Sequence, residues 1–247
     1  MFAWRFGFFV TSLGAMASWL VMLFFWSAVY GEGNQIGSFT LEQLMLYYTF
    51  SVLFQIILET SFIWDIASAI HSGNVTEYLL KPISYLKFKM VSECGAHTVM
   101  LIGFSLPFAI AVFYFRDQMP HTLSPWLWAF GTAGVGFLLV SLIGFLFAMA
   151  TVWFRHQYVA VSLFFSISLL LSGRTIPIAI MPEWLRTIAE WTPFPLVAGT
   201  PIELLMGTRH GLTLHEVLFF ATWLIVLLFA ATWAWRRAAI YYEASGT

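Results

Sequence analysis

The amino-acid sequence predicts an all-α membrane protein with six transmembrane helices and both termini in the cytoplasm. Hydrophobic residues make up 60% of the 247 residues and charged residues only 9%, whereas soluble domains carry about 25% charged residues. A water-soluble fold of this size could not bury so much apolar surface, so lipid must surround much of the chain. The apolar runs follow one another without a Ser- or Gly-rich linker, which indicates a single membrane domain over residues 1–247.

Six apolar runs are predicted to cross the membrane, for which a helix needs about 20 mostly apolar residues. They cover residues 8–30, 41–67, 93–115, 126–154, 157–171 and 217–235. The second run contains Glu59 and Asp65, and charges within a spanning helix usually face protein or water. Both are therefore candidates for a polar path or for contacts between helices, although Asp65 is near enough to the inner end to reach headgroups or a lysine. Glycines in the fourth run are expected to allow close helix packing: Gly131, Gly134, Gly136 and Gly144.

The distribution of basic residues predicts the topology, because cytoplasmic loops are rich in Lys and Arg. With the N-terminus inside, the inner segments hold seven basic residues: Arg5, Lys81, Lys87, Lys89, Arg155, Arg236 and Arg237. The outer segments hold four: Arg116, Arg174, Arg186 and Arg209. This asymmetry favours cytoplasmic N- and C-termini, and the even number of spans agrees with it.

The segment between the fifth and sixth spans, residues 172–216, is too long and too apolar for a plain loop. Trp184, Ile188 and Trp191 are spaced i, i+4, i+7, which predicts a short amphipathic helix with an aromatic stripe. A second short helix is predicted over residues 202–206. Both are expected to be re-entrant or interfacial elements on the outer side, where tryptophan is enriched. Five prolines divide the segment into short pieces: Pro177, Pro182, Pro193, Pro195 and Pro201.

The sequence contains no motif that indicates an enzyme. It lacks the G-x-x-x-x-G-K-[ST] motif for binding ATP, the H-E-x-x-H motif for zinc and the G-x-S-x-G context of a nucleophilic serine. The single cysteine, Cys94, excludes an internal disulfide and a cysteine-based metal cluster. The net charge of −1 gives no electrostatic basis for binding nucleic acid. We therefore expect no catalytic residue, no metal site and no bound cofactor on this chain.

The loop after the second span contains the run SGNVTEYLLKP at residues 72–82. Asn74 is suited to cap a short helix over residues 75–80, with Glu77 at the third helical position as in a capping box. Pro82 prevents this helix from continuing. The helix carries two adjacent leucines on a cytoplasmic element, so it either lies on lipid or docks into a cytoplasmic partner.

The run at residues 72–82 resembles the cytoplasmic loop signature of type-2 ABC exporter permeases, whose form is roughly SG-x-(hydrophobic)-x-x-(hydrophobic)-LLKP. The segment after the fifth span resembles the same family's SG…IP…P-x-W-L…P-x-P…P region. Its matching residues are Ser172-Gly173, Ile176-Pro177, Pro182-Glu183-Trp184-Leu185, Pro193-Phe194-Pro195 and Pro201. A third, weaker match is Trp4-Arg5, similar to the aromatic–arginine pair that precedes the first span. The three matches occur in the family's order and cover most of the chain.

The resemblance implies a permease subunit of an ATP-driven exporter in the cytoplasmic (inner) membrane of a bacterium. A second permease, identical or homologous, would pair with it, and two copies of a separate ATP-binding subunit would bind ATP and Mg. The short outer helices would cap the exit side, and the helix over residues 75–80 would be the coupling helix. The implied coupling residues are Gly73, Val75, Glu77, Tyr78, Leu79, Leu80, Lys81 and Pro82. A non-transporting membrane scaffold or assembly subunit and a secondary transporter are the alternatives, and the substrate stays open because fold does not fix function.

Overall fold

The computed structural model describes residues 2–30, 39–58, 60–72, 85–151 and 157–245, and in these ranges it contains helices and no β-strand. The helices are α1 Phe2–Tyr30, α2 Leu41–Ile57, α3 Phe62–His71, α4 Tyr85–Tyr114, α5 Leu123–Ala150, α6 Gln157–Leu171, α7 Glu183–Glu190, α8 Gly199–Leu205 and α9 Leu214–Ser245. Short 3-10 turns at Arg116–Gln118, Ile178–Ile180 and Phe194–Val197 lie in the connections. The all-α class predicted from the sequence is confirmed.

Two helices of the described part are long and apolar enough to cross a membrane, α5 and the Leu214–Arg237 portion of α9. Shorter apolar helices cover Trp19–Val29 in α1 and Tyr158–Leu171 in α6. Helix α9 exposes most of its apolar residues, and such a large apolar surface requires lipid or protein around it. The structure therefore has the character of a multi-pass membrane protein, while the number of six spans and their orientation stay predictions.

Helix α5 forms the centre of the bundle and packs against α3, α6, α8, α9 and the Phe194–Val197 turn. Two of these contacts depend on glycine. A Cβ atom at Gly136 would lie 2.6 Å from the backbone carbonyl carbon of Leu196, and one at Gly144 would overlap the side chain of Ile63. Close backbone approach at small residues is typical of helix packing in membranes. Gly131 and Gly134 are different, because a Cβ atom at either would meet nothing within 4 Å.

The second predicted span is not one continuous helix, so the expectation of an unbroken run over residues 41–67 is wrong. Helix α2 ends with Leu58 as its C-cap, at φ −115° and ψ 19°, and α3 begins after Ser61. Thr60 and Ser61 lie at the interruption, and hydroxyl side chains favour caps and turns over helix interiors. Glu59 lies outside the described residues.

The helices run between two ends of the bundle. Helices α2, α5 and α9 begin at the end where α4 and α6 finish, which we call the Leu41 end. Helix α3 finishes and α4 begins at the opposite end, which we call the His71 end. The sequence predicts that the Leu41 end faces outward. Helix α1 packs against α2 and α4, and Trp19 Nε1 donates a 3.0 Å hydrogen bond to Thr49 Oγ1 across the contact between α1 and α2.

Candidate functional site

The segment between α6 and α9, residues 172–213, enters the bundle instead of lying over it; we call it the broken segment. Helix α6 has 15 residues and therefore spans about 22 Å, less than the roughly 30 Å of a hydrocarbon core. The backbone that follows α6 is buried in the bundle at Ser172 and Gly173. Within the broken segment, Leu196 reaches Gly136, which is halfway along α5. Irregular backbone at such a depth is tolerated only where protein or water satisfies its polar groups.

Three hydroxyl groups of α2 satisfy the backbone of the turn that follows α6. The hydroxyls of Tyr47, Tyr48 and Ser51 donate hydrogen bonds to the carbonyl oxygens of Gly173 (2.6 Å), Thr175 (2.5 Å) and Arg174 (2.8 Å), respectively. Three consecutive carbonyl groups, at residues 173–175, thus find donors on the neighbouring helix. Helix α2 and this turn are therefore joined as one hydrogen-bonded unit.

The Ser172-Gly173 pair shapes the same turn. Gly173 has φ +78°, a left-handed conformation that glycine adopts without steric cost. The carbonyl oxygen of Ser172 accepts a 2.9 Å hydrogen bond from the N–H of Gly199, which ties the end of α6 to the start of α8. Ser172 Oγ also accepts a 3.3 Å hydrogen bond from the N–H of Arg174. The serine and the glycine of this motif therefore have separate structural roles.

The prolines of the broken segment lie at the starts of its short elements. Pro177, Pro182 and Pro193 immediately precede the Ile178–Ile180 turn, α7 and the Phe194–Val197 turn, respectively. Pro195 lies within the last of these turns, and Pro201 lies in the first turn of α8. Four of the five are buried, Pro182 being the exposed one. Because proline donates no backbone hydrogen bond and is pre-organised for a first helical turn, it suits these buried starts.

Helix α7 is amphipathic, as the spacing of its apolar residues predicts. Leu185 and Ala189 are buried against the rest of the broken segment and α6, whereas Trp184, Ile188 and Trp191 are exposed. Trp184 and Ile188 therefore face away from the bundle, whereas the ring of Trp191 contacts Phe219 of α9. Tryptophan side chains in this position suit the boundary between lipid headgroups and acyl chains.

Arg209 joins the broken segment to α9 at the Leu41 end. Its guanidinium lies 3.8 Å from a carboxylate oxygen of Glu203, pairs with the carboxylate of Glu216, and donates to Thr200 Oγ1 at 3.5 Å. Glu216 also accepts a 2.8 Å hydrogen bond from the N–H of Thr213, while Thr213 Oγ1 accepts from the N–H of Glu216 at 3.3 Å, which is a capping box. Burial raises the pKa of the Glu203 carboxyl, and the positive charge of Arg209 opposes this rise.

Two cavities adjoin Glu203 at the Leu41 end. One has a volume of about 510 Å³ and is lined by Arg209, Trp191 and Phe219 among others. The second has a volume of about 760 Å³ and lies beside Glu42 at the start of α2. Both are lined by polar and apolar groups together, which suits a solute that has both kinds of surface.

The described residues at the His71 end include an ion pair between the two helices that precede and follow residues 73–84 in the sequence. Lys89 Nζ donates a 2.8 Å hydrogen bond to Asp65 Oδ2, which joins α4 to α3. These two helices flank residues 73–84, so the pair connects both sides of the loop. Asp65 thus makes a contact between helices, whereas Glu59 lies outside the described residues. The predicted coupling residues also lie outside them: Gly73, Val75, Glu77, Tyr78, Leu79, Leu80, Lys81 and Pro82.

Helix α3 is also attached to the centre of the bundle. The ring of Trp64 stacks on Phe165 of α6, with 5.9 Å between centroids and 8° between planes, and contacts Tyr158 at 5.6 Å. Ile63 packs at Gly144 of α5. Helix α3 is therefore in direct side-chain contact with α4, α5 and α6.

A family model described as "ABC-2 family transporter protein" matches residues 16–246. The chain belongs to this family. The match includes both the loop at residues 72–82 and the broken segment, so the family resemblance drawn from short motifs is confirmed. Searches of curated proteins and of solved structures returned no match to the chain.

Two sets of contacts in this ABC-2 family transporter were not predicted from the sequence. They are the hydrogen bonds of the α2 hydroxyls of Tyr47, Tyr48 and Ser51, and the contacts of Arg209 with Glu203 and Glu216. The pairing of Asp65 with a lysine is one of the alternatives that the sequence predicts, and Lys89 is that lysine. The T-x-x-E spacing of Thr213 and Glu216 is a recognisable capping-box signal for the start of α9. No comparable local signal marks the α2 hydroxyls, because their acceptors are more than 120 residues away in sequence.

Proposed function

We propose that the chain is the permease subunit of an ATP-driven exporter in the cytoplasmic (inner) membrane of a bacterium. It forms a translocation path together with a second permease, identical or homologous, and it is coupled to two copies of a separate ATP-binding subunit. The observation that carries this proposal is the set of hydroxyl bonds between α2 and the broken segment. In an ABC-2 family transporter, these bonds connect the helices that precede the coupling loop to the irregular backbone inside the bundle.

The contacts of α3 support a route for the mechanical signal. The loop at residues 72–82 follows α3 directly, and α3 is held by Lys89 of α4, Phe165 of α6 and the Gly144 contact of α5. Force applied to the loop by an ATP-binding subunit would move α3 and these helices together. Because α6 leads into the broken segment, the motion would then reach the Leu41 end.

The chain itself supplies no ATP chemistry in this proposal. It lacks a phosphate-binding Gly-rich motif, so ATP and Mg bind to the partner subunit, where hydrolysis takes place. The role of the permease is to change between two conformations that expose the path to opposite sides. The cavities beside Glu203 are on the predicted outer side, where they would form part of the exit.

The test is to purify the chain from its own membranes and to measure bound ATP-binding subunit, ATPase activity and ATP-driven export. We expect an ATP-binding subunit to co-purify, and we expect Glu77→Ala and Leu79→Ala to abolish ATP-driven activity. Lys87→Gln is the matched control, because Lys87 is an exposed residue near the same end of the bundle but outside the coupling signature. Transport driven by an ion gradient without ATP would support a secondary transporter. The absence of both a partner and transport would support a scaffold.

A further inference from the structure

A groove of about 670 Å³ runs along α4 beside α2. Its α4 wall is a single stripe of residues spaced by three or four, which includes Leu101, Ser105, Ala109 and Val112, and Arg116 of the following 3-10 turn lies at its end. Leu53 of α2 forms part of the opposite wall. The volume falls within the roughly 300–1,000 Å³ typical of sites for small ligands.

The chemistry of the groove is apolar along its length and positive at one end. Ser105 Oγ donates a 2.7 Å hydrogen bond to the carbonyl of Ile102 in its own helix, so its hydrogen is already used. Arg116 is the charged residue that lines the groove in the described part of the chain. Its Nε atom lies 3.6 Å from Asp117, and its guanidinium lies 5.8 Å from the centre of the Phe113 ring. The exposed guanidinium keeps further N–H groups for an external acceptor.

The length of the groove matches one leaflet of a bilayer. Leu101 and Val112 are eleven residues apart, which corresponds to about 16 Å along a helix. Half of a hydrocarbon core of roughly 30 Å is about 15 Å. Arg116 follows Val112 by about one helical turn, so it lies at the level of the headgroups when the groove lies in the acyl region. An arginine at that level can bind phosphate oxygens with two N–H groups.

We propose that this groove binds one phospholipid with an anionic headgroup. One acyl chain lies along the α4 stripe from Val112 to Leu101, and the phosphate is held by Arg116. Arg116 lines the end of the groove, whereas the neighbouring Asp117 does not line it, so a headgroup in the groove meets the guanidinium. An anionic headgroup brings no second cation to that guanidinium, whereas a zwitterionic headgroup does.

The test measures which lipids stay bound to the purified protein with the subunits that it retains. The protein is incorporated into vesicles of equal phosphatidylglycerol and phosphatidylcholine, extracted in mild detergent, and its bound lipids are quantified by mass spectrometry. We expect phosphatidylglycerol to be enriched about fivefold, equivalent to about 1 kcal/mol for one basic residue near the membrane surface. Arg116→Gln should abolish the enrichment. Arg186→Gln should keep it, because Arg186 is a partly exposed arginine outside the groove.

Further variants at Ala109 test whether an acyl chain or a second copy of the protein occupies the groove. Ala109→Trp should displace the retained lipid by filling the groove, and Ala109→Leu serves the same purpose if the tryptophan variant does not fold. Equal binding of both lipids by the unaltered protein, or an unchanged enrichment in Arg116→Gln, would overturn the proposal. A disulfide-linked pair formed by Ala109→Cys in a Cys94→Ser background would also overturn it, because the groove would then be an interface between two copies.

Discussion

The hydroxyl of Tyr47 donates a 2.6 Å hydrogen bond to the carbonyl oxygen of Gly173, a residue 126 positions later in the chain. Tyr47 is 1% exposed, so water has little access to replace this bond. The carbonyl belongs to a left-handed turn that follows the 15-residue helix α6. The bond therefore satisfies a buried backbone group and fixes α2 to the broken segment at the same time.

Tyr47→Phe should destabilise the protein by about 1–3 kcal/mol, because it leaves the buried Gly173 carbonyl without its donor while the ring still fills its place. The measurement is thermal or denaturant unfolding of the purified protein in detergent. Tyr114→Phe is the matched control, because Tyr114 is 75% exposed at the end of α4. If both variants unfold alike, the Tyr47 bond does not contribute to stability.

A pair of glycines in α5 gives a second test of how the broken segment is packed. Gly136→Ala should destabilise the protein by about 1–3 kcal/mol, because its Cβ atom would lie 2.6 Å from the Leu196 backbone and one of the two must move. Gly134→Ala has open space and should be neutral or stabilising by up to about 1 kcal/mol through helix propensity. Unfolding of both variants under identical conditions makes the comparison. A Gly136→Ala protein as stable as the Gly134→Ala protein would contradict the close approach of Leu196.

The sequence predicts the structure well where a property such as hydropathy is averaged over many neighbouring residues. Composition predicts the all-α class, and the run at residues 157–171 predicts α6 with the bounds that the structure has. The same averaging hides the interruption between α2 and α3, because the surrounding apolar residues outweigh Glu59, Thr60 and Ser61 in any long window. The hydroxyl residues Thr60 and Ser61 favour a turn there, and hydropathy does not resolve them.

Periodicity also identifies the faces of a helix without showing which face is buried. Trp184 and Trp191 mark the apolar stripe of α7, yet the residues buried in the bundle are Leu185 and Ala189 on the other side. In a membrane protein the exposed face meets lipid, so both faces can be apolar. Likewise, four glycines of α5 are equivalent in sequence, but only their tertiary neighbours separate Gly136 from Gly134.

The Asp65–Lys89 pair should contribute both to the stability of the protein and to the coupling of the permease to the ATP-binding subunit. The Lys89 side chain is 19% exposed and that of Asp65 is 63% exposed, so solvent partly screens the pair, and we expect Asp65→Asn to cost up to about 1 kcal/mol. Because the pair joins the two helices that flank the proposed coupling loop, Asp65→Asn should also weaken ATP-driven activity. The double variant Asp65→Lys/Lys89→Asp should recover part of both losses. Lys87→Gln is the control for removing a lysine from the same helix.

Unfolding of the unaltered protein, Asp65→Lys, Lys89→Asp and the double variant gives the interaction energy of the pair, and we expect about 1 kcal/mol. Additive single effects, with no recovery in the double variant, would show that Asp65 and Lys89 act independently.

The positive charge of Arg209 offsets the negative charges of the Glu203 and Glu216 carboxylates. Its contribution to the stability of the Leu41 end should therefore depend on pH. Arg209→Gln should cost about 1–3 kcal/mol at neutral pH, and Arg209→Lys less, since lysine keeps the charge but not the planar fork. Burial already raises the pKa of Glu203 against the opposing charge of Arg209. Removing that charge raises this pKa further, so the folded variant holds the Glu203 proton more tightly than the unfolded chain does.

The sign of the pH effect in Arg209→Gln follows from this difference in proton binding. A carboxyl with a raised folded pKa contributes most stability below its unfolded pKa and loses it as the pH rises through the folded pKa. The deficit of Arg209→Gln relative to the unaltered protein should therefore shrink as the pH is lowered from about 8 to about 5. Arg186→Gln, which removes a partly exposed arginine 3.9 Å from Glu190, should change stability by less than about 1 kcal/mol. A deficit of Arg209→Gln that stays constant or grows on acidification would mean that Glu203 is not the group Arg209 compensates.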